Sequence, residues 1–299
     1  MKKIELQNGM YKTLIAQFQR HLQTLNYAKD TVTGAITSTK DYLLYLEENR
    51  IPLIQTSTKE IFQYFHYLEK RQNKNTGLGL SMAYLQSIKA DLSLFYEFLS
   101  LTQNEKYHLP TFPVIKIQKS IPKVLTKEEV QKLFQACDES LLGKRNKAML
   151  AIYYGCGLRR QEGTRLNIED LDLEKGSVFI AKSKTHRQRN VPLNSNIQKI
   201  VEDYMFNIRE KLIDKEQSET ALLVTEQGNR LSKDSVSYIL QKLLKDANVK
   251  SKASPHTLRH SIATHLLQSG MKLENIALFL GHKSMDSTQI YTHLKNELS

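Results

Sequence analysis

Apolar residues recur at three- and four-residue intervals through most of the chain, the spacing of helices with one buried face. Leu14, Ile15, Phe18, Leu22 and Leu25 form a first stripe, and Val32, Ile36, Leu43 and Leu46 form a second after a turn at 26–30. Ile61, Phe62, Phe65 and Leu68 make a third. Beyond the breaker-rich stretch 73–79, Leu85, Ile88, Leu92, Phe95 and Leu99 make a fourth. Four amphipathic helices of this length can close a core among themselves, which predicts a small helical domain over residues 1–104.

The periodicity then fails. Between Thr102 and Pro122 lie Pro110, Pro113 and Pro122, interspersed with Lys116, Lys119 and, just beyond, Lys123, a composition that predicts an extended linker over 105–123. A second domain, 124–299, opens at Thr126 to Glu129, a capping box ahead of a helix through Val130, Leu133 and Phe134. A further helix is expected from about Arg145 to Tyr154, stopped by Gly155-Cys156-Gly157. From Asp170 the period changes: Leu171 to Leu173, Val178 to Ile180 and Asn190 to Pro192 predict three short strands. Helical spacing resumes from Asn196 to about Ile213 and from a Ser232 cap to Ala247. The expected class is mainly α with a small β-sheet in the C-terminal domain.

Charge narrows the possible partners. The 299 residues carry 43 lysines and arginines against 31 acids, a net charge of +12, which favours a polyanion, most commonly nucleic acid. No long apolar run or concentrated basic cluster beside one points to a membrane, and the first residues lack the apolar core of a signal peptide. A cytoplasmic, DNA-associated protein is expected. Cys137 and Cys156 fall in apolar helical sequence and are expected as reduced, buried thiols. The nine histidines lack metal-site spacing, so no metal is expected, and neither a dinucleotide fingerprint nor a P-loop is present, so no cofactor is expected.

The groups suited to phosphate chemistry concentrate near the end of the chain. Ser254 and Pro255 are an N-cap and a first helical residue. They place His256 and Arg259 on one face of a first turn, where backbone N–H groups and the helix dipole already favour an anion. Leu280-Gly281-His282 and Ile290-Tyr291-Thr292-His293 follow. Upstream, Arg159 comes directly after a glycine turn, with Glu162 three residues on and able to orient it. Between the last two predicted strands, Lys182, Lys184, Arg187 and Arg189 make a basic hairpin without an acid, suited to a DNA groove or a phosphate.

Together these motifs resemble the tyrosine recombinases, most closely the simple Xer-type members. The resemblance rests on Gly157-Leu-Arg159 with Glu162, a lysine turn before Val191-Pro-Leu193, His256-x-x-Arg259-His-Ser, Leu280-Gly-His282 and Ile290-Tyr291-Thr-His293, in that order over nearly the whole chain. It implies a helical, SAM-like core-binding domain that clasps DNA, and a catalytic domain. It also implies that Arg159 and Arg259 clamp the non-bridging oxygens of a scissile phosphate. His256 and His282 would add hydrogen bonds, His256 being the better acceptor of the tyrosine proton. Tyr291 would be the nucleophile of a 3′-phosphotyrosyl intermediate, and Lys184, ahead of Lys182, the general acid for the departing 5′ oxygen. Glu162 would support the site, and Lys182, Arg187 and Arg189 are candidate DNA contacts.

The family also implies double-stranded DNA as partner, a homotetramer or a heterotetramer with a paralogue on paired sites, and a Holliday junction, as in chromosome dimer resolution. Eight residues follow Tyr291, where relatives commonly carry a further helix. Alternatives are a mobile-element integrase with the same chemistry, and a catalytically silent DNA-binding factor on the same fold. A type IB topoisomerase is disfavoured by the compact helical first domain, and a metal-dependent nuclease by the missing ligands.

Overall fold

The computed structural model describes residues 6–73, 77–102, 107, 109–116, 123–181, 188–213 and 219–282. The chain divides into two compact units, Met1–Lys119 and Ser120–Ser299. Among the described residues no helix is long and apolar enough to cross a membrane.

The first unit contains α1 (Gly9–Thr24), α2 (Lys29–Glu48), α3 (Thr58–Lys70) and α4 (Met82–Thr102). Asn8 caps α1, and Ser57 with Glu60 forms the capping box that starts α3. The stripes close on one another as expected, with two exceptions: Leu25 is 56% exposed and Phe62 47%. Leu25 lies just past the end of α1. Phe62 follows the buried Ile61 by one residue, and so sits about 100° further round the helix.

Tyrosines fill much of the remaining core. Tyr11, Tyr42, Tyr64 and Tyr96 are all buried to 3% exposure or less. A polar tip at that depth costs free energy unless it is paired, and three of these four hydroxyls are paired, Tyr64 being the exception. The Tyr42 and Tyr96 hydroxyls lie 2.7 Å apart, Thr56 Oγ1 is 2.6 Å from Tyr96, and Tyr11 accepts a hydrogen bond from the Leu53 amide at 3.1 Å. The described part of the predicted linker is extended but not merely solvated. Phe112 packs against Phe65 and Tyr96, and Lys89 Nζ donates to the Pro113 carbonyl at 2.9 Å.

The second unit begins with α5 (Lys127–Gln135), started by the Thr126–Glu129 capping box, and α6 (Leu141–Leu150). Helix α6 begins four residues earlier than the apolar spacing predicts, because the Ser140 hydroxyl accepts from the Gly143 amide at 3.0 Å. It runs on as a π-turn, Ala151–Gly155, before α7 (Arg160–Arg165). Strands β1 (Leu171–Asp172), β2 (Ser177–Ile180) and β3 (Arg189–Pro192) form one antiparallel sheet in the order β1-β2-β3, with Val178 opposite Val191 and Ile180 opposite Arg189.

Helix α8 (Ser195–Asp203) continues through a π segment, Tyr204–Arg209, into α9 (Glu210–Leu212). Helices α10 (Lys233–Asp246), α11 (Pro255–Gln268) and α12 (Leu273–Leu280) complete the described part of the unit. The apolar run Ala221 to Val224, too short for a periodicity to register, is fully buried. The side chains of Arg209 and Arg145 donate to the carbonyls of Ala221 and Val224, so this buried backbone is satisfied by cations drawn into the core. Cys137 and Cys156 are free and buried, and burial pushes both thiols up to about 12.

Candidate active site

Helix α11 starts where its sequence requires. The Ser254 hydroxyl accepts from the Thr257 amide at 3.3 Å, the Thr257 hydroxyl accepts from the Ser254 amide at 3.0 Å, and Pro255 takes the first helical position. One turn in, Arg259 points into the protein and is only 1% exposed. Its Nη1 donates to the Gly157 carbonyl and its Nη2 to the Leu280 carbonyl, both at 2.6 Å. Two carbonyls from distant parts of the chain thus hold one guanidinium fork.

Arg159 arrives from the other side. The π-turn is pinned at both of its tyrosines: Tyr153 donates to the Arg160 carbonyl at 2.8 Å, and the Tyr154 hydroxyl lies 2.8 Å from His265 Nδ1 on α11. Gly157 then turns with φ 59°, and a Cβ there would sit 2.9 Å from both Leu280 and Phe279. Only glycine fits that conformation at that distance. The turn delivers Arg159 to the start of α7, where its Nη1 donates to the same Leu280 carbonyl at 3.3 Å. The two arginines therefore converge on a single oxygen at the C-terminal end of α12.

Glu162 is the hub between them. Its carboxylate accepts from the Arg159 amide and from Arg159 Nη1, each at 2.9 Å, and from Arg189 Nη1 and Nη2 at 3.2 and 3.0 Å; Arg259 Nη1 lies 3.8 Å away. Burial alone would raise this carboxyl. The hydrogen bonds and charge of Arg189, followed by those of Arg159, outweigh it and hold the group down to about 2. Three guanidiniums against one carboxylate leave two positive charges beside the Leu280 carbonyl, which suits a phosphodiester that gains negative charge as it reacts.

The depressed Glu162 value makes acid sensitivity measurable. Because the folded value lies below the ordinary 4.5, the stabilisation is complete above 4.5 and is lost as pH falls towards 2. Its full size is on the order of 3 kcal/mol, of which roughly 2 kcal/mol has gone by pH 3. Urea unfolding at pH 7 and pH 3 is expected to show that extra loss in the wild type relative to Glu162→Gln. Equal losses in the two proteins would show that the carboxylate is not held as described.

Two histidines beside the arginines are shifted towards the neutral form. His256 is lowered by desolvation, then by the charges of Arg259 and Arg159. His260, one turn further along α11 with its ring centroid 5.1 Å from that of His256, is pushed down to about 4 by burial, then by His256 and Arg259. His282 follows directly on Gly281, the left-handed C-cap of α12 (φ 66°), and its amide donates to the Ala277 carbonyl at 2.9 Å. The backbone thus carries it to the end of the helix that Arg159 and Arg259 grip.

The structure brings together Arg159, Glu162, His256 and Arg259, with His282 adjoining. Lys182, Lys184, Arg187 and Tyr291 lie outside the described residues. Arg189 differs from expectation. It lies at the base of the hairpin, within β3, and its side chain is only 7% exposed because the fork is spent on Glu162 and its Nε on the Phe279 carbonyl at 2.8 Å. Residue spacing carries no sign of this, since the partners lie 27 and 90 residues away. Nor did it show the Tyr154–His265 pair.

Comparison with known proteins identifies the family. The family model described as the phage integrase family matches residues 123–297. Tyrosine recombinase XerC of Bacillus licheniformis is 32% identical over 293 residues, covering 96% of this chain and 93% of its own. Tyrosine recombinase XerD of Oceanobacillus iheyensis is 36% identical over 234 residues, 77% of this chain and 75% of its own. The fold is shared with the XerH site-specific recombinase in a post-cleavage complex with palindromic difH substrate, at TM-score 0.75 and 20% identity over 99% of this chain and 96% of that one. It is shared also with the Tn1549 transposon integrase in complex with a circular intermediate DNA, at TM-score 0.73 and 16% identity over 96% of this chain and 99% of that one. A family match over more than half the chain, and a relative 32% identical along 96% of it, make this protein a member of the phage integrase family, the tyrosine recombinases.

Proposed function

We propose that this protein breaks and rejoins duplex DNA at specific sites, with Arg159 and Arg259 as the phosphate clamp and Tyr291 as the nucleophile. The observation that carries the reading is the convergence of two arginine forks on one oxygen beside a single shared carboxylate. A carbonyl oxygen with partial negative charge already satisfies that geometry, and a non-bridging phosphate oxygen is a stronger acceptor of the same kind. His256, neutral at working pH, accepts the tyrosine proton. His282 adds a hydrogen bond, and Lys184 protonates the departing 5′ oxygen. The covalent 3′-phosphotyrosine keeps the energy of the broken phosphodiester, so resealing by a 5′ hydroxyl needs no ATP.

The identity to XerC and XerD, spread over both units, favours a Xer-type strand exchange. In this reading the helical domain of residues 1–104, the linker 105–123 and the catalytic domain 124–299 clasp the duplex, and four protomers act on two sites through a Holliday junction. The basic excess of the chain fits that polyanionic partner.

The test is a nicked duplex carrying the site recovered from DNA bound by the protein in cells. In buffer with EDTA and no nucleotide, a protein–DNA adduct that survives denaturant is expected, because the nick lets the short 5′-hydroxyl strand diffuse away before it can reseal the bond. Cleavage that appears only with added magnesium would reject the proposal.

A further inference from the structure

We infer that Arg189 is a positioning residue for the phosphate clamp, an inference that rests on the recombinase reading of the site. Arg189 ties its own strand, β3, to two segments, α7 and the end of α12, that have to agree for that site to work. From β3 its fork meets both oxygens of Glu162 at 3.2 and 3.0 Å, and its Nε meets the Phe279 carbonyl at 2.8 Å. Glu162 passes the constraint to Arg159 through two hydrogen bonds, one to its backbone and one to its fork. Phe279 precedes Leu280, whose carbonyl both clamp arginines share. The chain then runs on to His282 and, nine residues later, Tyr291.

The slot is built for an arginine. At Gly281 a Cβ would approach Arg189 Nη1 to 2.8 Å, so the C-cap glycine supplies the room the fork occupies as well as the left-handed turn. A lysine in the slot would keep the charge but make one directed contact in place of three. Glu162 would then lose the fork that fixes both of its oxygens. The cost would fall on the orientation of Arg159 at the non-bridging oxygens and not on proton donation to the leaving group.

That distinction can be read with two nicked duplexes, one normal and one with sulfur in place of the bridging 5′ oxygen. A thiolate departs without a proton, so a defect in the general acid is rescued by sulfur and a defect in the clamp is not. For Arg189→Lys, single-turnover adduct formation at saturating DNA, scaled to the folded fraction from circular dichroism, is expected to fall roughly 10- to 100-fold on both duplexes. Binding and its salt dependence should be unchanged, and Lys184→Ala should recover on the sulfur duplex. Glu162→Gln added to Arg189→Lys should slow the reaction little further, since both changes release the same arginine.

Recovery of Arg189→Lys on sulfur would overturn the inference in favour of a role through the proton donor. Weaker binding with a wild-type rate at saturation would make Arg189 a DNA contact. A wild-type rate with lowered melting temperature would make it purely structural. If the wild type forms no adduct on either duplex, the recombinase assignment falls first, and this inference with it.

Discussion

Tyr291→Phe should bind its DNA site as the wild type does and form no covalent adduct. The change removes one oxygen, and that oxygen is the atom that would attack phosphorus. The loss should be of the order seen when a nucleophile is deleted, roughly six orders of magnitude, which lies below detection in a suicide-duplex assay. Binding rests on the phosphate contacts of a chain with net charge +12, to which one phenol contributes little. Denaturing gels after hours of incubation, beside a binding isotherm, measure both quantities. An adduct that persists with phenylalanine at 291 would move the nucleophile elsewhere and dismantle the mechanism proposed above.

A phenol with an ordinary pKa near 10 needs a cationic setting to react at neutral pH. The site offers one: three guanidiniums share one carboxylate whose own proton is lost far below neutrality. His256, desolvated and beside two arginines, stays neutral and so remains able to take a proton. In the mechanism proposed above, the charges that would favour a tyrosinate also lower His256 and so favour its accepting form.

What the sequence revealed and what it hid follow from distance along the chain. His256 and Arg259, or Arg159 and Glu162, lie within one turn of each other, and helix geometry alone puts them on one face. The capped helix starts were likewise visible because a cap and its amide are at most three residues apart, as at Ser254, Thr126 and Ser232. The depth of Arg259 was not visible. It depends on carbonyls at Gly157 and Leu280, and backbone atoms leave no trace in residue spacing.

The burial of Arg189 was hidden for a related reason. Its neighbours in sequence are basic and suited to a DNA groove, and the carboxylate that takes up its fork lies 27 residues upstream. In the first unit, the buried tyrosines escaped a pattern built from aliphatic and phenylalanine positions; for Tyr42 and Tyr96 the hydroxyl partners come from residues 40 and 54 positions away along the chain.

Arg259→Lys is expected to have the second largest effect, and it separates charge from geometry. The side chain is buried with two contacts at 2.6 Å, to Gly157 and to Leu280, and has Glu162 as counter-charge at 3.8 Å. Lysine preserves the positive charge, so the carboxylate is not stranded, but a single ammonium cannot span two carbonyls that were held by a fork. One of them loses its partner in the protein interior, at about 1–3 kcal/mol of stability.

The catalytic loss should be larger than the stability loss. A point charge in place of a fixed fork no longer directs N–H bonds to the phosphate as it becomes more negative, and removal of one such donor costs roughly 100- to 1000-fold in rate. Melting temperature and single-turnover adduct formation at saturating DNA should therefore fall by unequal amounts, with binding nearly retained. If the rate falls only as far as the folded fraction does, Arg259 is holding Gly157 and α12 together and the clamp must be built from other groups. If it falls a hundredfold in fully folded protein, the fork that now grips the end of α12 is the one the phosphate uses.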